Sequence, residues 1–289
     1  MSHPASALSV RAMTRDDVPL AVEWAAQEGW NPGLHDATPF FAADPEGFLV
    51  GEIGGQPVAV ISAVRYGSDY GFIGFYIVKP QYRGSGHGWA IWQAAMARLA
   101  GRTIGLDGVV AQQDNYRRSG FELAHRNARY AGQRAAGEIS GTAPAVALTA
   151  LNELPPHLPL DYDRGFFPTE RASFLRAWVT QPGTVALGAV GDAGLQGYGV
   201  LRPCRDGYKI GPLFADSAAA AEAIFCALVQ HVPAGSAYFL DVPTNHPGAV
   251  SLATQHGMQV VFETARMYRG AAPDISLERT YGITSFELG

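Results

Sequence analysis

Cysteine is scarce in this chain. Cys204 and Cys226 are the only two in 289 residues, and neither has a neighbour at a metal-binding spacing such as C-x-x-C. They read as two free thiols, and no metal is expected. Charge is sparse too: 16% of residues are Asp, Glu, Lys or Arg, the net charge is −5, and basic patches are absent. That argues against a nucleic-acid partner, because phosphate backbones are met by clustered Lys and Arg. Long apolar runs are also missing. The longest, Ala218 to Val229, is interrupted by Glu222 and falls short of the roughly 20 residues that cross a bilayer. The opening MSHPASALSV has no basic segment followed by an apolar core, so no secretory leader is read there. Together these gaps point to a soluble cytoplasmic protein with no membrane partner. Apolar residues, at 47%, suffice for a sizeable core, and the length suits two domains of about 150 residues each.

What is present centres on the stretch from Phe72 to Leu99. Phe72, Ile73, Phe75, Tyr76, Ile77 and Val78 form an apolar run rich in aromatic and β-branched types, which predicts a buried strand. Lys79-Pro80 stops it, since proline cannot donate to a ladder. A helix follows, with Trp89, Trp92, Met96 and Leu99 on one stripe and Gly101 just past its end. Between strand and helix lies Gln81-Tyr82-Arg83-Gly84-Ser85-Gly86-His87-Gly88. Its glycines let the backbone turn N–H groups inward, and the helix start adds unpaired N–H groups and a positive dipole end. Arg83 and Lys79 add full charge. The loop is suited to phosphate. It is not the Walker type, which needs G-x-x-x-x-G-K-[ST]. It is not the dinucleotide fingerprint either, because Trp89 stands where the third glycine belongs. A glycine-rich turn with no ligand is the alternative.

The spacing Gln81-x-x-Gly84-x-Gly86, preceded by Val78-x-Pro80 and followed by Gly88, resembles the pyrophosphate signature of the GNAT superfamily of N-acetyltransferases. Further on, Asn115-Tyr116-Arg117-Arg118-Ser119-Gly120-Phe121 resembles that family's later motif, an Asn followed by Tyr-x-x-x-Gly-Phe. The resemblance implies acetyl-CoA as co-substrate, with the strand beside the pantetheine arm. It implies cofactor contacts from Tyr76, Ile77, Val78, Arg83, Gly84, Ser85 and Gly86, then His87, Gly88, Trp89 and Asn115. Tyr116 would protonate the leaving thiolate.

The order along the chain agrees. A strand at Leu8 to Ala12 precedes a helix from Thr14, as N-cap, to Gln27. A hairpin then turns at Gly54-Gly55, and the loop, its helix and a short strand from Thr103 to Asp107 follow. Gly132 to Ala145 reads as a linker. The second part repeats the order, and residues echo across it: Leu106-Asp107 with Leu240-Asp241, Gly120-Phe121 with Gly257-Met258, and Arg129 with Arg266. The expected fold is α/β, two tandem GNAT-like domains over 1–134 and 135–289, each a mixed twisted sheet flanked by helices. The second is degenerate. Gly211-Pro212-Leu213-Phe214-Ala215-Asp216 replaces the glycine loop, Asp216 would repel pyrophosphate, and no tyrosine stands in the later motif. It is expected to bind no CoA.

The expected reaction is acetyl transfer to an amine on a small molecule or peptide by direct attack, with the acceptor near the cleft between the domains. Tyr116 is the candidate acid. The strand from Tyr70 to Val78 holds no carboxylate, so Asp107 is the candidate base, with a turn cap as its alternative. His35 and Asp36 stand behind it as candidate bases and as substrate-site candidates, with ordinary loop residues the alternative. Trp30, Tyr76, Phe40 and Tyr268 are candidate pocket walls, with core packing the alternative for each. The competing function is a non-catalytic acyl-CoA-binding regulatory module.

Overall fold

The computed structural model describes residues 8–135, 146–192 and 194–289. The first half runs β1 (Ser9–Ala12), α1 (Val18–Gln27), α2 (Ala37–Ala43), β2 (Phe48–Ile53), β3 (Gln56–Tyr66) and β4 (Tyr70–Val78). It continues with α3 (His87–Arg98), β5 (Thr103–Val109), α4 (Gln113–Arg118) and β6 (Glu122–Gln133). The second half runs β7 (Ala147–Ala150), α5 (His157–Asp163), α6 (Ala172–Val179), β8 (Val185–Gly191), β9 (Gly194–Pro203) and β10 (Tyr208–Ala215). It ends with α7 (Ala218–Gln230), β11 (Ala237–Pro243), α8 (Pro247–Gln255), β12 (Gln259–Arg269) and β13 (Thr280–Gly282).

Local rules account for most of these elements. The β2–β3 hairpin turns on Gly54 and Gly55, both at positive φ, which matches the twist of the flanking strands. Ser217 caps α7 by accepting from the Ala220 amide at 3.2 Å. Three expectations need correction. Asp17, not Thr14, is the N-cap of α1, and it accepts from the Thr14 amide at 2.9 Å. Trp89 is 58% exposed, and α3 instead buries Ile91, Trp92, Ala95 and Leu99. The expected linker begins inside β6, and its residues 136–145 lie outside the described residues.

The two halves do not form two separate sheets. The described strands make one 13-stranded sheet in the order β1-β2-β3-β4-β5-β12-β6-β11-β10-β9-β8-β7, with β13 added to β10. The last long strand of each half has crossed into the other. β12 lies antiparallel on β5, and β6 lies antiparallel on β11. The registers place Arg266 opposite Asp107 and Arg129 opposite Asp241. Each arginine binds its carboxylate through two nitrogens, at 2.9 and 2.5 Å for Arg266 and at 2.7 and 2.8 Å for Arg129. All four side chains are buried. The echo between the halves is thus a pair of crossed ion pairs that closes the exchange.

Both halves also open in the same place. β4 and β5 pair in parallel only from Tyr70–Ile73 against Thr103–Leu106, and β10 and β11 only from Tyr208–Ile210 against Tyr238–Leu240. Beyond those points the strands diverge. In the second half the gap is filled: β13 pairs with β10 at Leu213–Gly282 and Phe214–Thr280, and the Ile283 amide donates to the Asp241 carbonyl. In the first half a cavity occupies the gap.

Removing one member of a buried bidentate pair strands the other's charge, which typically costs about 3–5 kcal/mol. Arg266→Leu should lower unfolding free energy by about that amount in chemical denaturation. The double variant Asp107→Leu with Arg266→Leu should recover part of the loss. Acid should also weaken the fold. Burial, aided by the Arg266 charge, pushes the His125 pKa down to about 3. The folded chain then binds fewer protons than the unfolded one below about pH 6.5. Stability is therefore full above that pH and declines as pH falls toward 3, a slope that His125→Leu should flatten.

Candidate active site

The cavity, about 590 Å³, runs from the glycine loop along β4 to Tyr116 and on to residues of the second half. At its mouth Gly84 and Gly86 sit at φ +77° and +83°, where a side chain is strained, and a Cβ at either would meet nothing within 4 Å. The loop's backbone therefore faces open space, with α3 starting directly after Gly86. Gly88 is fixed by a different need: a Cβ there would lie 2.8 Å from the Tyr76 hydroxyl. Arg83 is anchored beside them, its Nε on the Val78 carbonyl at 2.8 Å and Nη2 on Glu28 at 2.5 Å.

Along the wall β4 is bent. Phe75 has φ +49°, unusual for a non-glycine residue, and the β3–β4 register slips between Val60 and Ser62. Its ring is buried against Phe40 and Phe48, at centroid distances of 5.5 and 5.8 Å. The bend turns the β4 edge from 74 to 78 away from β5, and Gly74 through Val78 line the cavity.

Tyr116 stands at the far side on α4. A Cβ at Gly108 would lie 2.2 Å from the Tyr116 ring, so glycine on β5 is what admits the tyrosine. Trp92 packs at 5.7 Å between centroids. Burial, with a smaller push from Tyr76, raises the phenol well above its ordinary pKa, so the proton is held at neutral pH. Beyond it lie Trp30 from the first half and Phe262, Thr264, Phe286 and Glu287 from the second.

Of the residues expected from sequence, the cavity wall brings together Tyr76, Ile77, Val78, Arg83, Gly84 and Gly86, along with Gly88, Trp89, Tyr116, Asp107 and Trp30. Ser85, His87 and Asn115 are not on it. Asn115 instead donates to Gln112 at 2.5 Å, and Gln112 is the wall residue. His35 is exposed and off the wall. Asp36 is fully buried and engaged by Arg202, at 2.9 and 3.2 Å, and by the Gly33 amide at 2.7 Å. Neither lines the cavity. Phe40 and Tyr268 are core. Asp107 touches the cavity, but Arg266 occupies both oxygens and Asn127 donates to one at 2.8 Å. Burial raises its carboxyl against the pull of Arg266. Both of its oxygens are thus engaged in tying β5 to β12. In the second half, ligand-type atoms of Glu222, Cys226 and His256 lie within 4.8 Å of one another, a convergence that the spacing of the cysteines does not signal.

Sequence reasoning misses the residues of the far end. Phe262 and Thr264 arrive on the exchanged strand, and Phe286 and Glu287 on the segment after β13. The stretch Tyr281 to Gly289 carries no pattern in the sequence that places it on an element.

Residues 14–121 match the acetyltransferase (GNAT) family, and residues 160–282 match an acetyltransferase (GNAT) domain. Holothin acyltransferase of a Pseudoalteromonas strain is 32% identical over 92% of this chain and 90% of its own length. The chain belongs to the GNAT acetyltransferase family. It is an acyltransferase of the tandem type. An acetyltransferase candidate from Pyrococcus horikoshii shares the fold at TM-score 0.81 and 22% identity, covering 100% of this chain and 98% of that one. A tandem GNAT protein from the clavulanic acid biosynthesis pathway shares it at TM-score 0.64 and 14% identity, covering 92% and 100%. Among the described residues no helix is long and apolar enough to cross a membrane.

A carboxylate placed among phosphates repels them. Gly86→Glu should reduce CoA affinity at least a hundredfold in calorimetry while leaving the melting temperature of the free protein within a few degrees. Unchanged affinity would place the pyrophosphate elsewhere.

Proposed function

We propose that this chain moves an acetyl group from acetyl-CoA to the nitrogen of an amine by direct attack, with the first half holding the cofactor. The observation that carries the reading is the continuity of one cavity from the Gly84–Gly86 loop, along the bent edge of β4, to the Tyr116 side chain. Pyrophosphate would take the loop amides and the start of α3. Pantetheine would lie against the edge from 74 to 78, whose β5-side ladder ends at Ile73. A backbone N–H there, of Ile77 or Val78, would polarise the thioester carbonyl. Tyr116 would give its proton to the departing sulfur.

The acceptor would enter from the opposite end, between the halves, where Trp30, Phe262 and Phe286 line the cavity. Holding amine and thioester in one cavity turns a bimolecular encounter into a local step, which supplies much of the acceleration. The likeness to holothin acyltransferase supports acyl transfer, and the acetyl group and the amine are argued from the family and the cavity.

The second half would hold no cofactor of its own, because β13 occupies the corresponding gap and Asp216 is bound by Arg279 and Tyr162. A non-catalytic acyl-CoA-binding role would be favoured by tight CoA binding with no thiol release on any amine.

Tyr116→Phe should lower kcat about a hundredfold, within the usual scale for a general acid, with CoA affinity within twofold. Thiol release measured on a panel of primary amines checks it, and an unaffected rate removes Tyr116 from the acid role.

A further inference from the structure

Two residues of the cavity wall, Glu287 and Thr264, each hold a buried polar side-chain atom, Oε2 and Oγ1, that has no hydrogen-bond partner among the described residues. Glu287 is 4% exposed and Thr264 1%. An unpaired buried carboxylate oxygen carries its desolvation penalty uncompensated. Such a group on a cavity wall is one that a ligand could complete.

The position of Glu287 is closely held. Its carbonyl lies where a Cβ on Gly74 would stand, 2.1 Å away, so only glycine at the bend of β4 lets the segment approach. The carbonyls of Ile283 and Thr284 press on Gly211 in the same way. The Tyr66 hydroxyl donates to the Leu288 carbonyl at 3.2 Å, Arg171 to the Gly289 carbonyl at 3.1 Å, and the Leu288 amide to the Ser285 hydroxyl at 3.1 Å. A segment tied on both sides of Glu287 presents that carboxylate with little freedom.

Three basic side chains, Arg129, Arg202 and Lys209, lie within electrostatic reach of Glu287. Asp241 answers Arg129, Asp36 answers Arg202, and the Lys209 ammonium donates to the Asn31 carbonyl at 2.9 Å. Burial lowers the Lys209 pKa. Cys204, also in this cluster, has its thiol raised by burial.

Beside Glu287 the walls are aromatic, and one cation braces them. The Arg129 guanidinium lies 4.8 Å from the Phe286 ring centroid and 5.9 Å from that of Phe262, and donates to the Trp30 carbonyl at 2.7 Å. Rigid aromatic walls around a fixed carboxylate suit an amine carried on a flat apolar body.

We infer that Glu287 is the catalytic residue that receives the acceptor: its carboxylate takes the N–H groups of an alkylamine carried on an aromatic body and removes a proton from its nitrogen. This rests on the acetyl-transfer reading. The nitrogen lone pair forms the C–N bond and the C–S bond breaks. Glu287 takes the nitrogen's proton, Tyr116 gives one to the thiolate, and solvent returns the first to Tyr116. Amine and thioester become amide and thiol, with nothing left over. Thr264 Oγ1 accepts a second N–H or pairs with a polar atom on the amine's body.

The test uses the full chain and the amine that gives wild type its fastest thiol release from a panel of aromatic and aliphatic primary amines. With Glu287→Gln, kcat/KM for that amine should fall at least a hundredfold at pH 7 while acetyl-CoA affinity stays within twofold. The deficit should narrow as pH rises and the amine supplies its own neutral form. Glu287→Asp, which keeps the charge but withdraws it, should also lose most of the rate. Full rate in either variant with the wild-type pH profile overturns the inference and leaves acetyl transfer standing. Loss of acetyl-CoA binding in Glu287→Gln together with wild-type turnover in Glu287→Asp also overturns it, since the group is then structural. A wild type that binds acetyl-CoA but acetylates no amine overturns both.

Discussion

The two buried Arg–Asp pairs across the exchanged strands are the constraint on which the rest of this structure depends. A buried ion pair is not a cheap source of stability, since desolvation consumes most of the attraction. Its value here is register. Arg266 and Asp107 are opposite one another on β12 and β5, as are Arg129 and Asp241 on β6 and β11. A slip of one residue on either strand would send every side chain to the other face and leave two charges buried alone. The crossing is therefore specified twice, once at each strand boundary, and the same two boundaries make the sheet continuous.

The exchange has a consequence for the site. Phe262 and Thr264 lie on β12, within a few residues of Arg266, so the pairing with Asp107 sets the depth at which they meet the cavity. Arg129 answers Asp241 with two of its nitrogens and gives the third to the Trp30 carbonyl. Cavity walls and sheet register thus share the same side chains. Asp107 belongs to this frame, and a carboxylate committed to a guanidinium on both oxygens has little capacity left for proton traffic.

Much of the first half was legible in the sequence because its signals are local. The apolar run, the proline stop, the glycines and the helix behind them each act within a few residues, and β4, the loop and α3 stand where they were expected. Tyr116 was legible from its spacing to Gly120 and Phe121. Helices α2, α5 and α8 were not: Pro39, Pro156, Pro159 and Pro247 interrupt a helical pattern in the sequence, yet each stands at a cap or in a first turn, where a missing N–H costs nothing. The echo of Asp107 with Asp241 and Arg129 with Arg266 was visible, but not that each arginine serves the other half's aspartate. That choice is made by contacts more than 100 residues apart in the chain, which no short-range pattern encodes.

The asymmetry between the halves follows from one segment of chain. Both gaps are bounded by parallel strands that part after three or four residue pairs, and an open gap leaves backbone groups unpaired. In the second half β13 satisfies β10, and Arg279 on its approach neutralises the Asp216 that a phosphate would meet. The chain then crosses to the first half and lays Phe286 and Glu287 along the cavity without entering the ladder between β4 and β5. Closing one gap and furnishing the other are successive acts of the same dozen residues. A duplicated fold with two equivalent gaps would need two such segments. With one, the second gap becomes the anchor that fixes the geometry of the first.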